Sequence, residues 1–267
     1  MSETWGADSR HTAAAHTRLT PGTPCWVSLM VRDPERARKF YEALFGWEFD
    51  PGPQQLGPYV RALLGGREVA GIGRLPTDRR VPVAWTPYLA TDDIDATAHA
   101  IRVRGGTVGV GPLDAAEAGR MLIASDPAGA VFGVWQAAAH RGAAVTGVPG
   151  APSWDELVTR DTGVTAFYTA VFGYTARTAG SPTTLLLGER PVASVRGVGR
   201  KLPHDRGAHW MTYFEVDEVD GAAARVAELG GRVAEAPRPG PYGRTATVAD
   251  PEGARFALVS SGRGTEV

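Results

Sequence analysis

Few side chains in this chain are suited to chemistry. There is one cysteine, Cys25, which rules out an internal disulfide and a cysteine-cluster metal site. It heads the apolar stretch "PCWVSLMV" with no histidine near it in sequence, and it reads as a buried thiol. The six histidines are scattered. His11 and His16 lie in a polar N-terminal stretch, His99 in a helical pattern, His140 between two similar regions, and His204 and His209 ahead of a strand. Each reads as a surface or hydrogen-bonded histidine. Two carboxylates stand out, Glu156 in "SWDELVT" and Glu215 in "WMTYFEV". A carboxylate among aromatic rings accepts a ligand hydroxyl or amine, and acts as a general base if desolvation raises its pKa. Glu156 is the candidate for that role. The stretch "GVGPLDAAEAG" lacks the Lys-Ser/Thr of a phosphate loop, and no serine sits in a nucleophile elbow.

The elements that must position these groups come in two copies. "PCWVSLMVRDPERARKFYEALFGWEFD" aligns with "PSWDELVTRDTGVTAFYTAVFGYTART", matching Trp26 to Trp154, Asp33 to Asp161 and Phe40-Tyr41 to Phe167-Tyr168. "WTPYLATDDIDATAHAIRVRGGTV" aligns with "WMTYFEVDEVDGAAARVAELGGRV", and "GRMLIASDPAGAVFGVW" with "GRTATVADPEGARFALV". The spacing between copies drifts by only a few residues, so the chain is a duplicated domain. Its expected divisions are a disordered tail (1–20), domain one (21–137), a linker (138–151), domain two (152–261) and a C-terminal tail (262–267).

Within each copy a strand (26–32) ends at Asp33, which caps a helix beginning at Pro34 and stopping at Gly46. Two strands joined at Gly65-Gly66 follow. A strand over 85–91, a helix in "DDIDATAHAIRVRGG" and a hairpin turned by "DPAG" complete the copy. Each half reads as two βαβββ-like units with helices on one sheet face.

Length and composition agree with this α+β reading. The 267 residues are ample for two domains, and hydrophobic residues make up 43% against 21% charged. A formal net charge of −1 gives no basic excess for nucleic acid or an anionic membrane. No apolar run is long enough to span a bilayer and the N-terminus has no export signal, so a cytoplasmic protein is expected.

The ordered series "F-Y…L-F-G-W", "D-D-I-D…G-G" and "D-P-x-G", present twice over residues 22–260, resembles the vicinal oxygen chelate superfamily. Glyoxalase I, the fosfomycin and bleomycin resistance proteins and the extradiol dioxygenases belong to it. The nearest likeness is to tandem actinobacterial members called hydroxylase- or glyoxalase-like, some from antibiotic gene clusters. The resemblance implies curved half-barrel sheets with helices on the convex face and a ligand on the concave face. Strand alternation then points Val27, Leu29 and Val31 at the helices, and Trp26, Ser28 and Met30 at the cavity. In the second copy the cavity set is Trp154, Glu156 and Val158.

Enzymes of that superfamily place His and Glu metal ligands at a few strand positions. Here those positions carry Trp26 or Trp154, Thr86 or Met211, and Gly133 or Ala257. Indole, glycine and alanine offer no ligand, and Thr and Met are poor ones for such cations. The expectation is therefore no metal and no other cofactor. An aromatic lining takes the metal's place: Trp26, Met30, Tyr88, Trp135, Trp154, Met211 and Tyr213, with Glu156, Glu215, Ser28 and Thr86 as its polar groups. The expected function is binding of a small planar hydrophobic molecule, such as an antibiotic, polyketide or xenobiotic, by a monomer or homodimer. The alternative is a hydroxylase, lyase or dioxygenase-type enzyme using Glu156 as base.

Overall fold

The structure is a computed structural model and describes residues 19–53, 57–76, 81–178, 180–202 and 206–261. Most of the expected N-terminal tail, His11, His16, His204 and the C-terminal tail lie outside the described residues.

Each half is one eight-stranded curved sheet. The first holds β1 (Pro24–Val31), β2 (Glu48–Pro51), β3 (Tyr59–Leu64), β4 (Arg67–Arg74), β5 (Trp85–Ala90), β6 (Thr107–Asp114), β7 (Gly119–Ser125) and β8 (Val131–Ala137). Their order is β2-β3-β4-β1-β5-β8-β7-β6. The second holds β9 (Pro152–Thr159), β10 (Thr175–Arg177), β11 (Thr183–Leu187), β12 (Arg190–Gly197), β13 (His209–Glu215), β14 (Arg232–Gly240), β15 (Gly243–Ala249) and β16 (Arg255–Ser260) in the same relative order. Strands β2, β6, β10 and β14 were not picked out in the sequence. Their exposed, weakly alternating residues give little period-two signal.

The helices form where caps and apolar spacing agree. Asp33 accepts a hydrogen bond from Arg36 N at the start of α1 (Pro34–Phe45), and Asp93 caps α2 (Ile94–Val103) through Asp95 N and Ala96 N. Helix α3 (Thr165–Phe172) follows a short 3₁₀ turn, and Glu218 caps α4 (Val219–Glu228). Val27, Leu29 and Val31 share a core with α1, and that core also contains Phe214, Phe256 and the buried face of α4. A second core joins α2 and strands β5, β7 and β8 to α3, β9, β11, β12 and β13. The helices thus lie between the two sheets, with α1 against α4 and α2 against α3. The concave faces turn outward.

The repeated "F-Y" and "D-P-x-G" motifs meet across this junction. Tyr41 donates to Asp250 Oδ2 (3.1 Å) and Tyr168 to Asp126 Oδ2 (2.9 Å), so each half's helix tyrosine reaches the other half's turn. Each aspartate caps its own turn through Oδ1, Asp126 from Ala128 N and Ala130 N, Asp250 from Glu252 N and Ala254 N. Trp85 Nε1 and Trp210 Nε1 donate to the same two tyrosine hydroxyls, each at 3.0 Å.

The expected linker is packed rather than slack. Ala143 N donates to Cys25 O, Ala144 N to Glu68 O, and Gly150 N to Glu215 O. Trp47 Nε1 donates to Gly150 O at 2.7 Å. Gly142 sits at φ +103 with its Cα against the Cys25 carbonyl, where any Cβ would collide. Among the described residues no helix is long and apolar enough to cross a membrane.

Tyr41→Phe and Tyr168→Phe are each expected to cost about 1.5–3 kcal/mol, because each leaves a buried carboxylate oxygen and an indole N–H without a partner. The two networks share no residue, so the double variant should lose about the sum. Urea unfolding monitored by fluorescence checks this, and an unchanged midpoint in either variant would remove that crossing from the stability of the fold.

Candidate functional site

The concave face of the first sheet is assembled at its centre. Strands β1 and β5 run antiparallel with Trp26 opposite Tyr88 and Ser28 opposite Thr86. Strand β8 runs parallel to β5 and brings Trp135, and β7 brings Met121 opposite Trp135. Trp26, Tyr88, Met121 and Trp135 form one buried cluster there. They wall a cavity of about 110 Å³ that Ser28, Tyr59, Arg61 and His140 also line. Tyr59 OH accepts from Trp26 Nε1 (2.9 Å) and lies 2.6 Å from Ser28 Oγ. It reaches that position because residue 71 is glycine. A Cβ there would overlap the Tyr59 hydroxyl. Burial pushes the Tyr59 and Tyr88 phenols above their ordinary pKa, so both are neutral at pH 7.

Of the residues expected in this face, Trp26, Ser28, Tyr88 and Trp135 come together at the cavity. Met30 packs over Gly73 at the edge of the first core, and Thr86 is half-buried across from Ser28 without lining the cavity. Sequence reasoning passed over Tyr59, Arg61, Met121 and His140. Alternation along β3 and β7 would have offered Tyr59, Arg61 and Met121. No periodic signal marks His140, which enters from the joining segment.

The second sheet uses the equivalent face differently. Met211, Tyr213 and Val158 pack with Trp154 and Tyr242. Ser194 stands opposite Glu156 on the paired strand, as Gly71 stands opposite Ser28. Its hydroxyl accepts from Trp154 Nε1 (3.0 Å) and Tyr242 OH (2.6 Å). Glu156 is fully buried. Its Oε1 accepts from Arg196 Nε (2.7 Å) and Tyr213 OH (3.0 Å), while the Tyr242 hydroxyl, whose one proton is directed at Ser194 Oγ, lies 3.4 Å from its Oε2. Burial pulls the Arg196 guanidinium down, but the carboxylate beside it outweighs that and the net shift is upward. The structure therefore places Glu156 in a buried charge pair with Arg196, with the Tyr213 hydroxyl donating to the same oxygen. Glu215 is placed elsewhere again. Its carboxylate accepts from Ser153 Oγ (3.0 Å), Ser261 N (2.7 Å) and Ser261 Oγ (2.8 Å), tying the start of β9 to the end of β16.

With this geometry in hand, comparison with known proteins is direct. A family model described as "Glyoxalase-like domain" matches residues 26–135 and again 158–259. The chain belongs to the glyoxalase-like family. It is 36% identical over 265 residues to "Anthracycline biosynthesis protein DnrV" of Streptomyces peucetius, covering 91% of this chain and 94% of that protein. It is 38% identical over 248 residues to "Putative glyoxylase CFP32" of Mycobacterium tuberculosis, covering 89% and 94%. Among solved structures, the Mn(II)-bound glyoxalase from Novosphingobium aromaticivorans superposes with a TM-score of 0.62 at 18% identity, covering 91% of this chain and 83% of that one. The 2,3-dioxygenase LapB from Pseudomonas sp. KL28 gives 0.62 at 14%, covering 90% and 93%. These likenesses show the vicinal oxygen chelate fold.

One structural neighbour, the Novosphingobium glyoxalase, is Mn(II)-bound, which raises the question of a cation here. On this glyoxalase-like chain the concave face presents Trp26, Thr86 and Gly133 in one half and Trp154, Met211 and Ala257 in the other, at the positions where the superfamily holds ligands. Among the described residues no group of three or more His, Cys, Asp or Glu side chains comes together. This donor set does not fit a chelated divalent cation.

A second cavity, about 220 Å³, lies where the halves meet, lined by the starts of β1 and β9 and by Arg190. Trp26 and Trp154 both border it. Cys25 is at its edge, with its thiol donating to Tyr88 O (3.4 Å) and burial pushing its pKa up to about 12, so it is an inert structural thiol. Asp155 also lines this cavity, nearly buried, and accepts one hydrogen bond, from Thr212 Oγ1 at 2.7 Å. Burial raises its pKa to about 7.

A raised folded-state pKa means that ionising Asp155 opposes folding. The cost is absent near pH 4, grows as pH rises, and is complete above about pH 7. Asp155→Asn is expected to raise the melting temperature by several degrees at pH 8, with the gain shrinking steadily toward pH 4. Thermal melts of both proteins across that range check this, and a gain independent of pH would show that the carboxylate is not the cause.

Proposed function

We propose that this glyoxalase-like protein binds a small planar aromatic molecule in the first half's concave cavity, without a metal, and that the second half is its scaffold. The observation that carries this reading is the cavity walled by Trp26, Tyr88, Met121 and Trp135. Indole and phenol faces give large contact area at low entropic cost, and methionine adapts to shape. Size limits what enters. A dry cavity of roughly 150 Å³ takes up benzene, and this one, at about 110 Å³, is smaller, so a single ring enters only in part. The rest of a fused-ring ligand then lies outside the cavity. Similarity to a protein named for anthracycline biosynthesis over nearly the whole chain supports an aromatic polyketide as the ligand class, since anthracyclines carry a planar fused-ring system. The enzymatic alternative through Glu156 is less well supported, because that carboxylate is fully buried and paired with Arg196 and Tyr213.

The test is a titration of tryptophan fluorescence with an anthraquinone and an anthracycline, with metal content measured on the same sample. Saturable quenching is expected, lost in Trp26→Ala and kept in Trp154→Ala, with no stoichiometric metal. Quenching lost only in Trp154→Ala would move the site to the second half. Absence of saturable quenching, or one metal ion per chain, would overturn the reading.

A further inference from the structure

One wall of the first cavity is polar and comes from outside the sheet. His140 belongs to the segment joining the halves, yet its ring stands edge-on to Trp26 with centroids 4.5 Å apart, and to Trp135 at 5.5 Å. Its backbone is fixed on both sides. His140 N donates to Ala118 O (3.1 Å), and Trp135 Nε1 donates to His140 O (2.8 Å). The ring itself is oriented by Glu68, whose Oε2 lies 2.8 Å from Nδ1. The other oxygen of Glu68 pairs with Arg61, which also donates to Pro51 O (3.1 Å).

A carboxylate on Nδ1 assigns the ring proton to that nitrogen and leaves Nε2 as an acceptor. Nε2 has no hydrogen-bond partner among the described residues, and the ring lines the cavity. The charged groups facing it are Glu68 and Arg61. Burial lowers the imidazole pKa; Glu68 opposes this and Arg61 adds to it, and the net shift is downward. The ring is thus neutral at pH 7. Of the cavity's other polar groups, Tyr59 OH, Ser28 Oγ and Trp26 Nε1 are bonded to one another, and Arg61 pairs with Glu68 while its buried Nε, a donor only, has no hydrogen-bond partner among the described residues.

We propose that His140, oriented by Glu68, makes this cavity selective for aromatic rings that carry a hydroxyl, a phenolic O–H donating to Nε2. This rests on the reading that an aromatic ring enters the first cavity, and it adds the chemical class of that ring. An O–H aligned on a preoriented neutral acceptor contributes enough for a preference of about tenfold over the same ring without a donor.

Phenol and anisole test the idea, since they present the same ring with and without the donor. Binding of each to the full-length protein is followed by ligand-observed NMR at pH 7.5, and the histidine tautomers are read by ¹⁵N NMR. Phenol is expected to bind about tenfold more tightly than anisole, His140→Phe to bring the two together, and His140 to show the Nδ1–H tautomer. The preference should persist at pH 6.5, the ordinary histidine value, and fall away at lower pH as Nε2 gains a proton. Equal saturable binding of both rings to the unaltered protein would overturn the phenol preference and leave the cavity reading standing. Binding of neither would overturn both. An Nε2–H tautomer would overturn the proposal even if the variant failed to fold.

Discussion

The architecture depends on two buried carboxylates that each serve both halves. Asp126 and Asp250 close the hairpin turns of their own sheets, and each accepts a tyrosine hydroxyl from the other half. A carboxylate removed from water costs several kcal/mol unless its lone pairs are filled. Here the turn amides fill one oxygen and the opposite tyrosine the other, so neither half alone satisfies both oxygens of its own carboxylate. Burial still raises the pKa of both carboxyls despite these donors. The crossing therefore fixes the docking of the halves as well as the turns. It sets α1 against α4 and α2 against α3, and it leaves the concave faces free to diverge.

They have diverged through small residues at equivalent places. Gly71 makes room for Tyr59, and Gly133 for the ring of Tyr88. The second half has Ser194 and Ala257 at those places. Without the space, a serine hydroxyl and Tyr242 take over the role that Tyr59 plays toward Trp26. The Glu156–Arg196 pair then occupies the ground beneath. A buried ion pair adds little net stability, but breaking it is expensive because one charge is left alone. The second hollow thus holds a fully buried carboxylate beside its aromatic rings, at the place where the first has Ser28.

Much of this was legible in the sequence because it rests on local or repeated signals. The duplication and the caps at Asp33 and Asp93 follow from repeated residues and local spacing. The glyoxalase-like halves, and with them the side of the sheet that Val27, Leu29 and Val31 face, were legible through the ordered motifs and the family resemblance they carry. What was not legible depends on long-range pairing. Glu156 and Glu215 look alike in sequence, each following a tryptophan on a strand. One meets Arg196 from the neighbouring strand and the other meets Ser261 beyond the last strand, and nothing in either stretch announces that difference. Tyr59 owes its place to a glycine on the next strand. His140 owes its place to a carboxylate on β4 that lies far from it along the chain.

The joining segment links these two themes. Glu68 accepts Ala144 N through its backbone carbonyl and holds His140 through its side chain. Its neighbours along the same segment bond to Cys25 at the start of β1 and to Glu215 at the end of β13. The strand that positions the cavity's histidine thus also anchors the passage from one half to the other. His140 belongs to a segment whose far end is bonded into the second sheet. The duplicated fold has in this way turned its connection, the one part with no counterpart in the repeat, into the most asymmetric wall of the site.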